Sequence, residues 1–163
     1  MSHMPRYSLK QRLIVLGFKV LMPLVRIYWF VFRPRVTGVL CLVRNGRDIL
    51  MIRQTYGDRA WGFPGGGVKR GEGPEEAVKR EVEEEVGLAI AAPALLGEVH
   101  VTYQYVKSDV TIFAAETLSR DLKLQTLEVL EGQWFDIDSL PPLSPRLRPV
   151  EPFIGKLRSE GGV

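Results

Sequence analysis

The hydrophobic pattern divides the chain into two parts. Residues 13–32 are apolar almost without interruption, whereas from Val36 onwards apolar positions come in short blocks separated by turn residues. A long apolar run and a series of short alternating blocks are typical of different structural units. The pattern therefore predicts an N-terminal arm over residues 1–35 and one globular domain over residues 36–163.

The short blocks of the second part are typical of β-strands. Asn45 and Gly46 separate the first two blocks, and Asn-Gly is a strong signal for a hairpin turn. A second turn is expected at Lys107 and Ser108. The glycine-rich stretch 55–70 is expected to be a loop without strands or helices. The predicted strands are 37–43, 48–54, 95–105, 109–117 and 132–136.

Two helices are predicted in the same part. The first runs from Pro74, which suits a first helical turn, to a stop at Gly87, and its valines lie on one face. The second covers residues 144–158 and is weakened by prolines near its start. Strands and helices in this order predict an α/β fold with a mixed sheet between helices.

The N-terminal arm is expected to form a helix that cannot stand alone in water. Its basic side chains recur every seven residues and would form one stripe on an apolar surface: Arg12, Lys19, Arg26 and Arg33. Pro23 and the internal charges disfavour a transmembrane span, because each central Lys or Arg costs about 2.5–3.5 kcal/mol. Two interpretations stay open: packing on the domain or a partner subunit, which we favour, and membrane-interface contact through residues 8–33.

Composition and charge narrow the class of protein. A chain of 163 residues that is 45% hydrophobic suits one globular domain, and the single Cys41 indicates a reducing, cytoplasmic setting. Residues 1–35 hold seven basic and no acidic side chains, which leaves 15 basic against 19 acidic in the domain. Duplex nucleic acid is therefore not an expected partner. Residues 1–4 resemble an expression-tag remnant.

Carboxylates are concentrated in the first predicted helix. Glu81, Glu84 and Glu85 have the spacing i, i+3 and i+4, which places them on one helical face. Like charges so close together destabilise a helix unless a cation neutralises them. Hard divalent cations such as Mg²⁺ bind carboxylate oxygens, so the spacing indicates a metal site.

The same segment resembles the signature of the Nudix hydrolases. The matching positions are Gly66, Glu72, Arg80, Glu81, Glu84, Glu85 and Gly87, with aliphatic residues at Val82 and Leu88. The preceding segment 61–67 is similar to the glycine-rich approach of many members. The resemblance implies an α/β/α sandwich with a mixed central sheet. It also implies a divalent-metal-dependent pyrophosphohydrolase acting on a nucleoside diphosphate linked to another moiety.

The resemblance also implies roles for individual residues. Glu81 and Glu85 would be metal ligands for Mg²⁺ or Mn²⁺, with Glu84 a ligand or the residue that positions the catalytic water, and the Gly65 carbonyl a further donor. The signature segment, residues 66–88, is here called the Nudix box. Its positions with structural roles would be Gly66, Glu72, Arg80 and Gly87.

Candidates outside the box are more open. Glu128, in the stretch before the last strand, is the first candidate for a general base, with a solvated acid as the alternative. The candidates for contact with a nucleotide substrate are Arg53, Arg59, Phe63 and Tyr105. A non-catalytic module that binds nucleotides or a membrane surface is the alternative to an enzyme. A homodimer would bury the arm.

Overall fold

The computed structural model describes residues 35–55, 59–103 and 106–160. Residues 1–34 of the predicted arm and the substrate candidate Tyr105 lie outside the described residues, whereas Arg35, the last residue assigned to the arm, begins the first strand. Within the described ranges, no helix is long and apolar enough to cross a membrane.

The described chain forms one mixed sheet with helices on both faces. The helices are α1 (Pro74–Val86), a 3-10 helix (Pro145–Val150) and α2 (Glu151–Glu160). The strands of these ranges are β1 (Arg35–Asn45), β2 (Asp48–Gln54), β3 (Trp61–Gly62), β4 (Gly65–Gly67), β5 (Ala94–Tyr103), β6 (Val106–Glu116) and β7 (Val129–Asp136). The strand order in the sheet is β3-β2-β1-β6-β5. In addition, β4 pairs with β1 and β7 pairs with β2.

The two faces of the sheet bury separate hydrophobic cores. Successive side chains of β2 point to opposite faces of the sheet and so contribute to both cores. Leu50 and Ile52 pack with α1, whereas Ile49 and Met51 pack with the C-terminal helices. Among the named strands of the described ranges, only β1 and β6 pair in parallel. The predicted α/β/α architecture with a mixed sheet is therefore confirmed.

Strands β1 and β2 pair only beside their turn and then diverge, and the glycine-rich segment lies between them. The two strands pair at Arg44 and Ile49 beside the turn. Further along, β1 pairs with β4 and β2 pairs with β3. The prediction of a loop without strands over 55–70 was wrong, because a chain without side chains at Gly65 can approach β1 closely enough to pair with it.

Two further predictions were wrong in detail. Lys107 and Ser108, the expected turn, lie in β6 and pair with β5. The expected helix over 144–158 is instead a 3-10 helix followed by α2. Pro149 lacks an N–H and cannot join an α-helical hydrogen-bond ladder, so the α-helix begins only after it.

Candidate metal and substrate site

Helix α1 is fixed at both ends and along one side. The Gly73 N–H donates to Glu76 Oε2 at 3.0 Å at the N-terminus. At the C-terminus Gly87 has φ +71, and its N–H donates to the Glu83 carbonyl at 3.0 Å. Val78 and Val82 are fully buried against the sheet. The helix therefore presents its carboxylates at a set place over the β1–β2 opening.

Glu85 is the most buried of these carboxylates, with 2% of its surface exposed. It accepts the Gly65 N–H at 2.9 Å and a hydrogen bond from the Gln54 side chain. Burial, with smaller contributions from the charges of Glu81 and Glu128, raises the pKa of Glu85 to about 8, although the hydrogen bonds from Gly65 and Gln54 act to lower it. The charges of Glu81 and Glu128 are therefore near enough to act on the buried carboxyl group of Glu85.

Arg80 holds the neighbouring acids. Its guanidinium donates to both oxygens of Glu72, at 2.7 and 2.9 Å, and to Glu81 Oε1 at 2.7 Å. It also donates to Glu84 Oε2 at 3.2 Å and to the Gly67 carbonyl at 3.0 Å. The two-point contact lowers the pKa of Glu72 to about 2. Arg80 therefore joins the glycine-rich segment, the loop before α1 and the helix itself.

Gly66 makes room for Glu81. A Cβ atom placed on Gly66 would lie 2.5 Å from the carboxyl carbon of Glu81. The same operation on Gly65 would put a carbon 2.2 Å from the carbonyl oxygen of Val39. Gly66 is therefore required by the Glu81 carboxylate, and Gly65 is required by the backbone of β1.

Glu84 is the most exposed of the three candidate ligands. Its carboxylate lies 3.6 Å from Lys69 Nζ and is also held by Arg80. In the part of the chain that the structure describes, no three Asp, Glu, His or Cys side chains are yet grouped to hold a metal ion. The donor set nevertheless suits a hard cation, because Glu81, Glu84 and Glu85 offer carboxylate oxygens, the ligands that Mg²⁺ prefers.

The structure brings Glu128 to the box. Thr55 donates its N–H to the Glu128 carbonyl at 2.8 Å, and the Glu128 N–H donates to the Gln125 side chain at 3.0 Å. The Gln125 N–H in turn donates to the carbonyl of Glu85 at 2.9 Å. The backbone that carries Glu128 is thus tied to the C-terminal end of α1.

The substrate candidates occupy different settings. Arg53 donates to the carbonyl of Arg59 at 3.0 Å and to Glu131 at 3.3 Å, and its guanidinium lies 5.5 Å from the Trp61 ring centroid. Arg59 adopts φ +55. Phe63 is largely buried and lines a cavity. Phosphate contact by Arg53 stays a prediction, and it would compete with the contact to Glu131.

A cavity of about 250 Å³ lies where β1 and β2 diverge. Its walls include Val39, Ile52, Phe63 and the box glycine Gly66, so it adjoins the carboxylate site. Arg146 of the 3-10 helix also lines it.

Sequence reasoning missed two residues of this region, Gln54 and Arg146. The alternation that sends Leu50 and Ile52 toward α1 would have placed Gln54 on the same face. No pattern marked Arg146, because it reaches the cavity only through the docking of the 3-10 helix on β3.

Comparisons with known proteins agree with this arrangement. An RNA pyrophosphohydrolase of Saccharophagus degradans is 48% identical over 66 residues, which cover 40% of this chain and 38% of that protein. A NAD-capped RNA hydrolase NudC of Pseudomonas aeruginosa is 33% identical over 112 residues, covering 68% of this chain and 40% of that protein. The chain thus spans about 40% of the length of these curated relatives.

A solved structure extends the likeness to the fold. The MutT NUDIX hydrolase from Burkholderia pseudomallei superimposes with a TM-score of 0.67 at 26% identity, over 76% of this chain and 98% of that one. The family model for the NUDIX domain matches residues 33–154, a range that includes the sheet, α1 and all the candidate acids. The chain therefore belongs to the NUDIX domain family.

Proposed function

We propose that this protein is a divalent-metal-dependent pyrophosphohydrolase. Its substrate is a nucleoside diphosphate linked to another moiety, such as ADP-ribose or another nucleotide sugar, a dinucleoside polyphosphate or a nucleoside triphosphate. The buried carboxyl group of Glu85, with Glu81 and Glu128 close enough for their charges to act on it, carries the proposal. Family membership and relatives named RNA pyrophosphohydrolase and NAD-capped RNA hydrolase support it.

Different residues of the site would bind the metal ion and orient its ligands. NUDIX hydrolases depend in general on divalent metals, and here Mg²⁺ or Mn²⁺ would be held by Glu81 and Glu85, with the carbonyl of Gly65 as a further donor. When bound, such an ion neutralises phosphoryl oxygens and lowers the pKa of a bound water. Arg80 keeps Glu81 in place, and Glu84 either joins the ligands or positions the water. Gln54 and the Gly65 N–H orient Glu85.

A substrate screen tests the activity. Full-length protein would be incubated with nucleotide sugars, dinucleoside polyphosphates and nucleoside triphosphates, with Mg²⁺, with Mn²⁺ and with EDTA. Metal-dependent release of a nucleoside monophosphate supports the proposal. Tight nucleotide binding without turnover of any substrate would instead favour the non-catalytic module.

Glu128→Gln is expected to lower kcat by roughly 10²-fold or more and to leave KM nearly unchanged, because the variant cannot accept a proton from water. Steady-state kinetics on the best substrate of the screen measures this. Glu98→Gln, on the distant edge strand β5, is the matched control. A kcat within twofold of wild type would show that Glu128 is only a solvated acid.

We further propose that the arm, residues 1–35, packs on a second subunit of a cytoplasmic homodimer, with the catalytic domain beginning at residue 36. An apolar surface of that length needs cover, and a partner subunit supplies it without a membrane. A chain beginning at Val36 should sediment as a monomer in analytical ultracentrifugation. An unchanged dimer would reject subunit packing, and binding of the full chain alone to anionic vesicles would favour the membrane-interface interpretation.

A further inference from the structure

The connection between β6 and β7, residues 117–128, is bound to the C-terminal end of α1. The Lys123 N–H donates to the carbonyl of Val86 at 2.9 Å, and the Gln125 N–H donates to the carbonyl of Glu85 at 2.9 Å. The last carbonyls of an α-helix have no partner within the helix, so the connection supplies donors that they would otherwise lack. Its backbone is therefore held beside the turn that carries Glu85.

Two leucines of the same connection pack on β7. Leu122 and Leu124 lie against the core that α1 covers. A Cβ atom placed on Gly132 of β7 would lie 2.9 Å from Leu124 Cδ2 and 3.3 Å from Leu122 Cδ1. The connection is thus bound to α1 through its backbone and to β7 through its side chains.

Thr55, just beyond the end of β2, binds the last residues of the connection. Its side chain is buried, and its hydroxyl donates to the carbonyl of Leu127 at 2.8 Å and to that of Glu128 at 3.2 Å. The Thr55 N–H also donates to the Glu128 carbonyl, at 2.8 Å. Because one buried hydroxyl satisfies two consecutive carbonyls, it fixes the orientation of both peptide groups.

Gln125 binds the other side of the Glu128 backbone. The Glu128 N–H donates to Gln125 Oε1 at 3.0 Å and to the Gln125 carbonyl at 3.1 Å. The Val129 N–H donates to the same carbonyl at 2.9 Å. Both the N–H and the carbonyl of Glu128 are therefore engaged, one by Gln125 and the other by Thr55.

Glu128 needs such support if it is to act at the Nudix box. Its charge acts on Glu85, and carboxylates repel each other unless a cation lies between them. A connection that could move freely would carry Glu128 away from the other acids. A general base works only within hydrogen-bond reach of the water that it deprotonates.

We propose that Thr55 and Gln125 are positioning residues that hold Glu128 at the Nudix box, where it acts as the general base. The inference rests on the proposed function. Each side chain acts through the backbone of Glu128 and need not touch the substrate or a metal ion. A catalytic group displaced by about 1 Å can lose roughly 10²-fold in rate, so the loss of either side chain should be visible in kcat.

The test is a double-mutant cycle. Thr55→Val and Gln125→Met are each made alone and together with Glu128→Gln, and steady-state kinetics are measured with the best substrate of the screen. Each single variant should lower kcat about tenfold or more with a nearly unchanged KM. In the Glu128→Gln background neither should lower kcat further, because the base that they position is already lost. Thr55→Ser keeps the hydroxyl and should retain the wild-type kcat.

Thr117→Val is the matched control, because its hydroxyl also binds this connection but at the end distant from Glu128, where it accepts the Ser119 N–H at 3.2 Å. It should keep the wild-type kcat. Equal losses of kcat with and without Glu128→Gln would mean that Thr55 and Gln125 only stabilise the fold, and would overturn the proposal. Wild-type kcat in either single variant would also overturn it. If Thr55→Val does not fold, Gln125→Met decides the question, because Gln125 is only partly buried.

Failure of this inference can be told from failure of the proposed function. No turnover by the wild-type protein in the substrate screen would reject the hydrolase and, with it, the positioning role. Turnover by wild type together with an unchanged kcat in Glu128→Gln would reject the positioning role alone, since there would be no base to position.

Discussion

Glu85→Gln is expected to lower turnover by roughly a thousandfold, because the loss of a metal carboxylate removes several kcal/mol of transition-state stabilisation. The substitution keeps the size and shape of the side chain. Its amide oxygen can still accept the Gly65 N–H, and the Gln54 amide can turn to accept the new donor. We therefore expect a folded protein with little activity.

The same substitution should change how the stability of the metal-free protein depends on pH. In the native protein the pKa of Glu85 is raised from 4.5 to about 8 by burial, so the folded protein holds this proton more tightly than the unfolded chain. The resulting stabilisation is fully present below about pH 4.5 and is lost as pH rises through about 8. Glu85→Gln removes that loss, and the variant should be more stable than wild type at pH 8 in EDTA.

Thermal unfolding in EDTA from pH 5 to pH 8.5, together with kinetics in saturating Mg²⁺, measures both effects. Glu83→Gln is the matched control, because Glu83 lies on the exposed side of the same helix. It should retain turnover and the wild-type pH dependence. Wild-type activity in Glu85→Gln would contradict the assignment of the metal site, and unfolding of this variant would contradict the account of Glu85 as a neutral buried acid.

The box could be predicted from sequence because its chemistry is local. Residue spacing alone places Glu81, Glu84 and Glu85 on one turn of a helix that begins at Pro74 and is stopped by Gly87. Spacing does not say which of them is buried. Glu85 is enclosed because β4 crosses over it, and that crossing depends on the opening of the β1–β2 hairpin.

The cavity shows a second limit of sequence-based prediction, which is that contacts between distant segments cannot be read from residue spacing. Arg146 is about 80 to 110 residues away in sequence from the other residues that share the cavity near the box, and only tertiary packing unites them. The 3-10 helix itself was predicted as part of a longer helix, because the prolines near its start were taken to weaken an α-helix and not to replace its first turns by a 3-10 helix. The register of Gln54 was available from the alternation along β2, but its contact with Glu85 depends on where α1 lies.

The three successive glycines of β4 should respond to alanine in three different ways. Gly65→Ala is expected to destabilise the protein by several kcal/mol, because its Cβ would lie 2.2 Å from the Val39 carbonyl oxygen and neither backbone can move without breaking β4 from β1. Gly66→Ala should keep the fold and lose most activity, since its Cβ would displace the Glu81 carboxylate. Gly67→Ala has nothing within 4 Å of the added carbon and should resemble wild type.

Denaturant unfolding and turnover, measured on all three variants, separate fold from chemistry. A residue that serves the backbone lowers stability first, whereas one that serves a carboxylate lowers kcat at nearly constant stability. Gly67→Ala controls for the general effect of alanine in this strand. Similar stability losses at Gly65 and Gly66 would mean that Glu81 is part of the structural framework and not free to act on a cation. Full activity in Gly66→Ala would show that the Glu81 carboxylate can move aside without consequence, and would remove it from the catalytic site.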